Sequence, residues 1–451
     1  MTLWAKDGLN PDAAMLAFTT GDDATLDHQL IPYDLVGSAA HARGLEEIGI
    51  LSATDADQLV RALKTLGDEY TGGQFRLAPG DEDCHSAIER ELITRLGDAG
   101  KKIHTGRSRN DQILTALRLL MRDRLAGLAE QVAGLGVALC DGAAGADDLL
   151  MPGYTHGQRA MPVTLAFWYE AHAESIRDRL HDAMGFRLLE SSPLGAGAGF
   201  GVPLPLDRAY TAKVMGFVRV QGNAQAAQNS RGRLEAQFLN WLAEVGRDVE
   251  KLAQDLWLFS TAEFGFVKLA DGFTTGSSLM PNKRNPDVLE LLRATAGTLI
   301  ACRNEVEGII GKLPSGYQRD YQLTKEPLLR GLAVAENMLA AATRVVPALH
   351  WDRARMAAAC TVDLYATHRA MALVQDGVPF RDAYKQAADE LAAGNTKDWK
   401  TGLAAVREVS HVGGAGAADI SVVKADLAKA VSRAAYEREG LRKTWEALLN
   451  P

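Results

Sequence analysis

Cysteine is scarce. Four residues, Cys84, Cys140, Cys302 and Cys360, are scattered through 451 positions with no C-x-x-C pair among them. That spacing suits neither a disulfide scaffold nor a zinc ribbon, and it predicts reduced, mostly buried thiols. Aromatic residues are only 6% of the chain, whereas Ala and Leu recur throughout, a bias toward helices over sheets. No stretch reaches the roughly 18 uninterrupted apolar residues of a membrane span. The opening MTLWAKDGLNPDAAM lacks the apolar core of a signal peptide, so no membrane attachment is expected and the expected compartment is the cytoplasm. There is no long Lys/Arg block, and 49 basic against 57 acidic side chains give a net charge of −8, which excludes a polyanion-holding field and makes nucleic acid a poor candidate partner. The zincin H-E-x-x-H, the P-loop G-x-x-x-x-G-K-[ST] and the hydrolase G-x-S-x-G are all missing, and no metal or cofactor is expected.

What is present points to a compact helical protein. Hydrophobic residues make up 47% and charged residues 24%, ordinary values for a globular fold. The length allows two to four domains at roughly 100 to 200 residues each, or one elongated helical unit. From Ile113 the apolar positions Leu117, Leu120, Leu125, Leu128, Val132, Leu135 and Leu139 are nearly all three or four apart. Leu234, Phe238, Leu242, Val245, Val249, Leu252, Leu256 and Phe259 alternate steps of four and three without a break. Helices are also expected over about 160 to 190, 287 to 312 and 325 to 347, and Ser52 with Asp55 resembles a capping box. The expected fold class is all-α: a mainly helical segment over 1–111, a long central bundle over 112–361 and a smaller helical tail over 362–451, with a loop or hinge at 394–418.

Five polar segments between the helices concentrate Gly, Ser, Arg, Asn and His. HTGRSRNDQ at 104–112 offers N-cap residues and guanidinium forks beside a helix start, an anion cradle or simply a capped helix with solvated arginines. MPGYTHGQRAMP at 151–162 places Tyr154, Thr155, His156 and Gln158 together, just before a helix expected near Met161-Pro162; His156 is either a proton-transfer group or structural. SSPLGAGAGFG at 191–201 contains G-x-G-x-G-x-G, but no strand or βαβ pattern supports a dinucleotide site, which leaves a tight loop with close backbone approach. TTGSSLMPNKRNPD at 274–287 reads as a mobile loop that sets Ser277 and Ser278 near Lys283, Arg284 and Asn285, with Pro286 opening a helix. SGYQRDYQLTKE at 315–326 carries Tyr317, Arg319, Gln322 and Lys325.

In this order the segments resemble the fumarase/aspartase superfamily, and HTGRSRNDQ, EDCHSAIE at 82–89, PGYTH at 152–156 and GSSLMPNKRNPD at 276–287 narrow the resemblance to the argininosuccinate lyase family. It extends to GVPFRDAY at 377–384 and fades after about 390. The resemblance implies three helical domains, a homotetramer with a shared helical core, and active sites assembled from three subunits. It implies reversible anti elimination of argininosuccinate to arginine and fumarate, part of arginine biosynthesis. Ser277 is then the base, Lys283 and Asn285 hold the carboxylate where charge develops, and His156 assists proton transfer with Glu290 as its carboxylate partner. His85, Ser108, Arg109, Asn110, Thr155, Arg231, Tyr317, Gln322 and Lys325 match substrate-contacting positions. A cluster of Arg107, Arg109, Arg231, Lys283 and Lys325 would hold the anionic substrate. The sequence departs from many members at Gly157, Ser230, Asn282, Leu323 and Thr324, the last two standing where an acidic pair is common. The alternatives are another fumarate-releasing lyase of adenylosuccinate or aspartate type, which lacks the 104–112 segment in this form, and a non-catalytic structural relative, against which Ser277, Lys283 and His156 argue.

Overall fold

The computed structural model describes residues 12–450 apart from 79, 80, 184, 185 and 187. The helices that carry the site are α1 (Ile31–Glu47), α2 (Cys84–Leu96), α3 (Arg109–Ala143), α4 (Leu165–Ala183), α5 (Arg233–Phe259), α6 (Asp287–Ile310), α7 (Lys325–Val345) and α8 (Ile420–Leu449). The α3 start is set locally: Ser108 Oγ accepts from Asn110 N at 3.2 Å and the Asp111 carboxylate accepts from Ser108 N at 3.0 Å, a reciprocal cap.

All eight residues of the unbroken series on α5 are buried, each 5% exposed or less. Removing one, as in Leu242→Ala, would cost about 2–5 kcal/mol through lost burial and a residual cavity. Antiparallel to α5 runs α6. At one end a Cβ on Gly232 would collide with Ile310; at the other, Trp257 Nε1 donates to Glu290 Oε1 at 3.3 Å and Arg293 to Gln254 at 2.9 Å. Midway, the missing side chain of Gly246 lets the helices close: a Cβ there would lie 3.0 Å from Leu299 Cδ1.

The tail divides. Leu364, Tyr365, Trp399 and Ala405 form a small core of their own, and the 394–418 stretch contains one short helix, Leu403–Val406. The final helix α8 instead returns along α3, where Lys424 pairs with Asp141 at 2.6 Å, and near its far end Trp445 Nε1 donates to Met215 O, just past the 208–214 helix, at 3.1 Å.

The helical expectation needs one local correction. Met161 and Pro162 lie in a strand, not at a helix start: β1 (Leu150–Thr155) and β2 (Gln158–Thr164) form an antiparallel hairpin, and α4 begins three residues after Pro162. The two-residue turn is His156-Gly157, with φ of 55° and 71°. Positive φ at both central positions is the twist that joins strands tightly, and Gly157 supplies one of them without strain. A second hairpin joins β3 (Thr275–Gly276) to β4 (Arg284–Asn285). All four cysteines are free and only Cys360 is not fully buried. Among the described residues no helix is long and apolar enough to cross a membrane.

Candidate active site

The polar segments gather at opposite ends of the α5–α6 pair. At the α5 N-terminal end Arg231 is buried, its guanidinium carbon 6.0 Å from both the Tyr317 and Tyr321 ring centroids. Burial pushes its pKa down. Lys325, first residue of α7, is 3% exposed and its Nζ lies 2.6 Å from Asp23 Oδ1 and 2.6 Å from Asp27 Oδ1. Burial opposes its charge, but Asp27 and Asp23 outweigh it and raise its pKa. Asp27 Oδ2 also accepts from Cys84 N at 3.1 Å, which ties this group to the start of α2.

On α2, His85 Nδ1 is 3.1 Å from Asp34 Oδ1 of α1, while Nε2 is buried with no partner among the described residues. Burial disfavours the imidazolium, yet Asp34, Asp83 and Asp27 prevail and raise its pKa, which favours the doubly protonated ring; in that form Nδ1–H faces Asp34 and Nε2–H is left for another acceptor. Arg109, at the start of α3, bridges Glu82 and Asp83 at 2.9 Å each and donates to Ser86 Oγ. Ser108 and Asn110 are half-buried beside it. Gln322 Nε2 donates to the carbonyls of Thr19 and Thr20 at 2.9 and 2.8 Å. His85, Ser108, Arg109, Asn110, Arg231, Tyr317, Gln322 and Lys325 therefore share one end of the bundle.

The α5 C-terminal end carries the rest. Tyr154 packs at a tilt against Phe259 and Phe264, which anchors the β1–β2 hairpin there, and Thr155 and His156 stand exposed at its tip. His156 is the one non-glycine residue with positive φ among the described residues and has no side-chain partner there. Ser277 follows β3; its Oγ accepts from Met280 N at 3.0 Å and Leu279 N at 3.3 Å. Two backbone donors on a hydroxyl oxygen stabilise negative charge on it. Asn285 Nδ2 donates to Gly276 O at 3.3 Å, and the Lys283 ammonium is exposed with no ionic partner among the described residues. Glu290, in the first turn of α6, accepts from Trp257; no bond joins it to His156 within the chain.

Two expectations change. Within one chain the expected anion-holding cluster is not assembled: Lys283 stands at the other end of a 27-residue helix, roughly 40 Å away at about 1.5 Å per residue, and Arg107 is buried against Ser38 Oγ at 2.9 Å. Arg109 and Lys325 are also already neutralised. Sequence reasoning missed the acids that do this, Asp23, Asp27, Glu82 and Asp83, and also Asp34, which pairs with His85; EDCH at 82–85 carried part of the signal, the others none. Asp34, Cys84 and His85 place potential metal-ligand atoms within 4.8 Å of one another, but the His85–Asp34 contact already gives both groups a partner.

A family model described as lyase matches residues 10–300. The argininosuccinate lyase of Sorangium cellulosum is 48% identical over 392 residues, covering 87% of this chain and 91% of that protein. That of Xanthomonas oryzae pv. oryzae is 45% identical over 388 residues, covering 86% and 90%. Among solved structures, an EDDS lyase variant with bound fumarate aligns at TM-score 0.77 and 23% identity over 98% of this chain and 94% of the other, and a class II fumarase from Schistosoma mansoni at 0.67 and 16% over 84% and 91%. With the lyase match spanning most of the chain, relatives this similar over nearly nine-tenths of it, and a fold shared with fumarase, the chain belongs to the argininosuccinate lyase family of the fumarase/aspartase superfamily.

Proposed function

We propose that this protein is an argininosuccinate lyase, a carbon–nitrogen lyase that reversibly splits argininosuccinate into arginine and fumarate for arginine biosynthesis in the cytoplasm. Ser277 takes the proton from the carbon beside a carboxylate, and the electron pair passes into that carboxylate as an aci-carboxylate. Lys283 and Asn285 hold it there. The guanidino nitrogen then leaves with its bonding pair and is protonated, with His156 assisting proton transfer and Glu290 its carboxylate partner in the assembled site. His85, Ser108, Arg109, Asn110, Thr155, Arg231, Tyr317, Gln322 and Lys325 bind the rest of the substrate. The observation that carries this reading is Ser277 itself: a hydroxyl is a feeble base unless its alkoxide is stabilised, and two backbone N–H groups already point at this oxygen, with the exposed Lys283 ammonium on the same hairpin.

We infer that the working form is a homotetramer, with the 1–111, 112–361 and 362–451 segments as its three structural regions. Two features support this. The proposed groups are divided between ends roughly 40 Å apart, so one copy cannot bring them onto one small substrate. On α6, Leu291 is 69% exposed and Ala294, Gly297, Thr298 and Ala301 continue an exposed, small-residue face suited to close helix packing.

The direct test mixes purified protein with argininosuccinate and follows fumarate by its ultraviolet absorbance. Fumarate release is expected; none at any substrate concentration would overturn the reading, and release from adenylosuccinate instead would favour another superfamily lyase.

A further inference from the structure

The glycine-rich stretch at 191–201 has no part in the chemistry above, yet it is held more tightly than a connecting loop requires. Its anchor is Asp111, fully buried in the first turn of α3. One carboxylate oxygen, Oδ1, accepts from Ser108 N at 3.0 Å, which is all that capping the helix demands. The other, Oδ2, accepts from Gly195 N at 2.9 Å and Gly197 N at 2.8 Å. Those glycines adopt φ of 81° and 60°, and a Cβ would lie 2.9 Å from Arg208 Cγ at the first and 3.1 Å from Gly201 O at the second. Arg208 grips the same loop from its other side, donating to Leu194 O at 2.8 Å and to Gln221 O at 3.0 Å. Past the turn, Gly199 packs on the Gln228 side chain, and Gln228 O accepts from Arg231 N at 3.3 Å. A continuous path therefore runs from the α3 start through Asp111 and the loop to Arg231.

We propose that Asp111 is a positioning residue that sets the spacing between Ser108, Arg109 and Asn110 on one side and Arg231 on the other by fastening the 193–201 loop to the start of α3. The substrate side of this inference rests on the lyase reading; the clamp itself does not. Three N–H donors need three acceptor sites, which a carboxylate has and an amide, with its single oxygen and its own NH2 group, cannot offer in the same places. Arg107 and Arg208 are the charged groups that face Asp111, but neither hydrogen-bonds to it. Burial outweighs the N–H donors and Arg107 and pushes its pKa up to about 6, so the clamp carries a proton in mildly acidic solution and loses acceptor capacity there.

The test compares full-length wild type with Asp111→Asn. In the variant, backbone amide exchange over 193–201 should accelerate without substrate present, and KM for argininosuccinate should rise about tenfold with kcat little changed, as expected for one lost buried charge-assisted hydrogen bond that touches neither the proposed base nor the reacting carbon. The rise of wild-type KM as pH falls through about 6 should be absent from the variant. Unchanged exchange, or a kcat loss at unchanged KM, would overturn the proposal. If Asp111→Asn does not fold, wild-type exchange over 193–201, corrected for its intrinsic pH dependence, decides: faster opening at pH 5.5 than at 7.5 supports the clamp, and equal opening refutes it. Because exchange needs no substrate, it reads the clamp even if no fumarate is released.

Discussion

The two ends of the α5–α6 pair treat charge in opposite ways. At the Arg231 end, Lys325, Arg109 and His85 are each met by carboxylates of the same chain within about 3 Å, mostly out of water. At the Ser277 end, Lys283 and His156 face outward with no ionic partner among the described residues. The first end is therefore part of what holds the chain together, whereas the second contributes little to folding and leaves its charged and polar groups exposed. A net charge of −8 conceals this, because the acids that dominate the count include those spent on pairing the first end's cations.

The sharpest break of this contrast is Ser277→Ala. It should lower kcat by at least about a thousandfold, roughly 4 kcal/mol of barrier, while the melting temperature stays within a degree or two, because the hydroxyl bonds only to its own turn. Retained turnover would remove Ser277 as the base. Next comes a matched pair. Lys325→Met leaves Asp23 and Asp27 facing each other without their hydrogen-bonded cation and should cost about 3–5 kcal/mol in urea unfolding. Lys283→Met should leave the same unfolding curve within about 0.5 kcal/mol and abolish fumarate release. Equal destabilisation by both would erase the difference between the ends. Mixing Ser277→Ala with Asn110→Ala, one lesion at each end, should restore turnover in mixed tetramers; none in confirmed mixed assemblies would count against sites shared between copies.

The smallest effect is acid lability at the paired end. His41 is buried, its Nε2 2.9 Å from Thr105 O, and burial with the nearby Arg107 holds its pKa well below 6.5. The unfolded chain binds that proton near 6.5 and the folded chain refuses it, so stability falls as pH drops below 6.5. Melting temperature should fall by a few degrees from pH 7.5 to 5.5, and by less in His41→Gln. Equal falls in both proteins would show that His41 is not kept neutral.

The long helices were legible because burial on one face writes itself as steps of three and four; the whole α5 series ends up buried. The β1–β2 hairpin was not. Pro162 resembles a helix opener, and the deciding feature, positive φ at His156-Gly157, belongs to a residue pair whose left-handed habit shows only once strands flank it. At the candidate site, the motif at 274–287 put Ser277 and Lys283 on one segment, which the structure folds as a hairpin. The partners of Lys325 were not, since Asp27 lies 298 positions away and no local pattern links them. The same limit hid the role of Asp111, half of which is local capping and half a contact 84 and 86 residues distant.

The uninterrupted span of α5 also has a consequence for which sequence changes the fold can absorb. A single inserted residue there would turn everything beyond it by about 100° and advance it by about 1.5 Å. The Phe259 side, with both hairpins, would then be misaimed relative to the Arg231 side, and a compensating insertion in α6 could restore their contact but not the distance between ends. Length variation should therefore collect in stretches such as 394–418, which span neither end, and α5 should keep a fixed residue count as a ruler does.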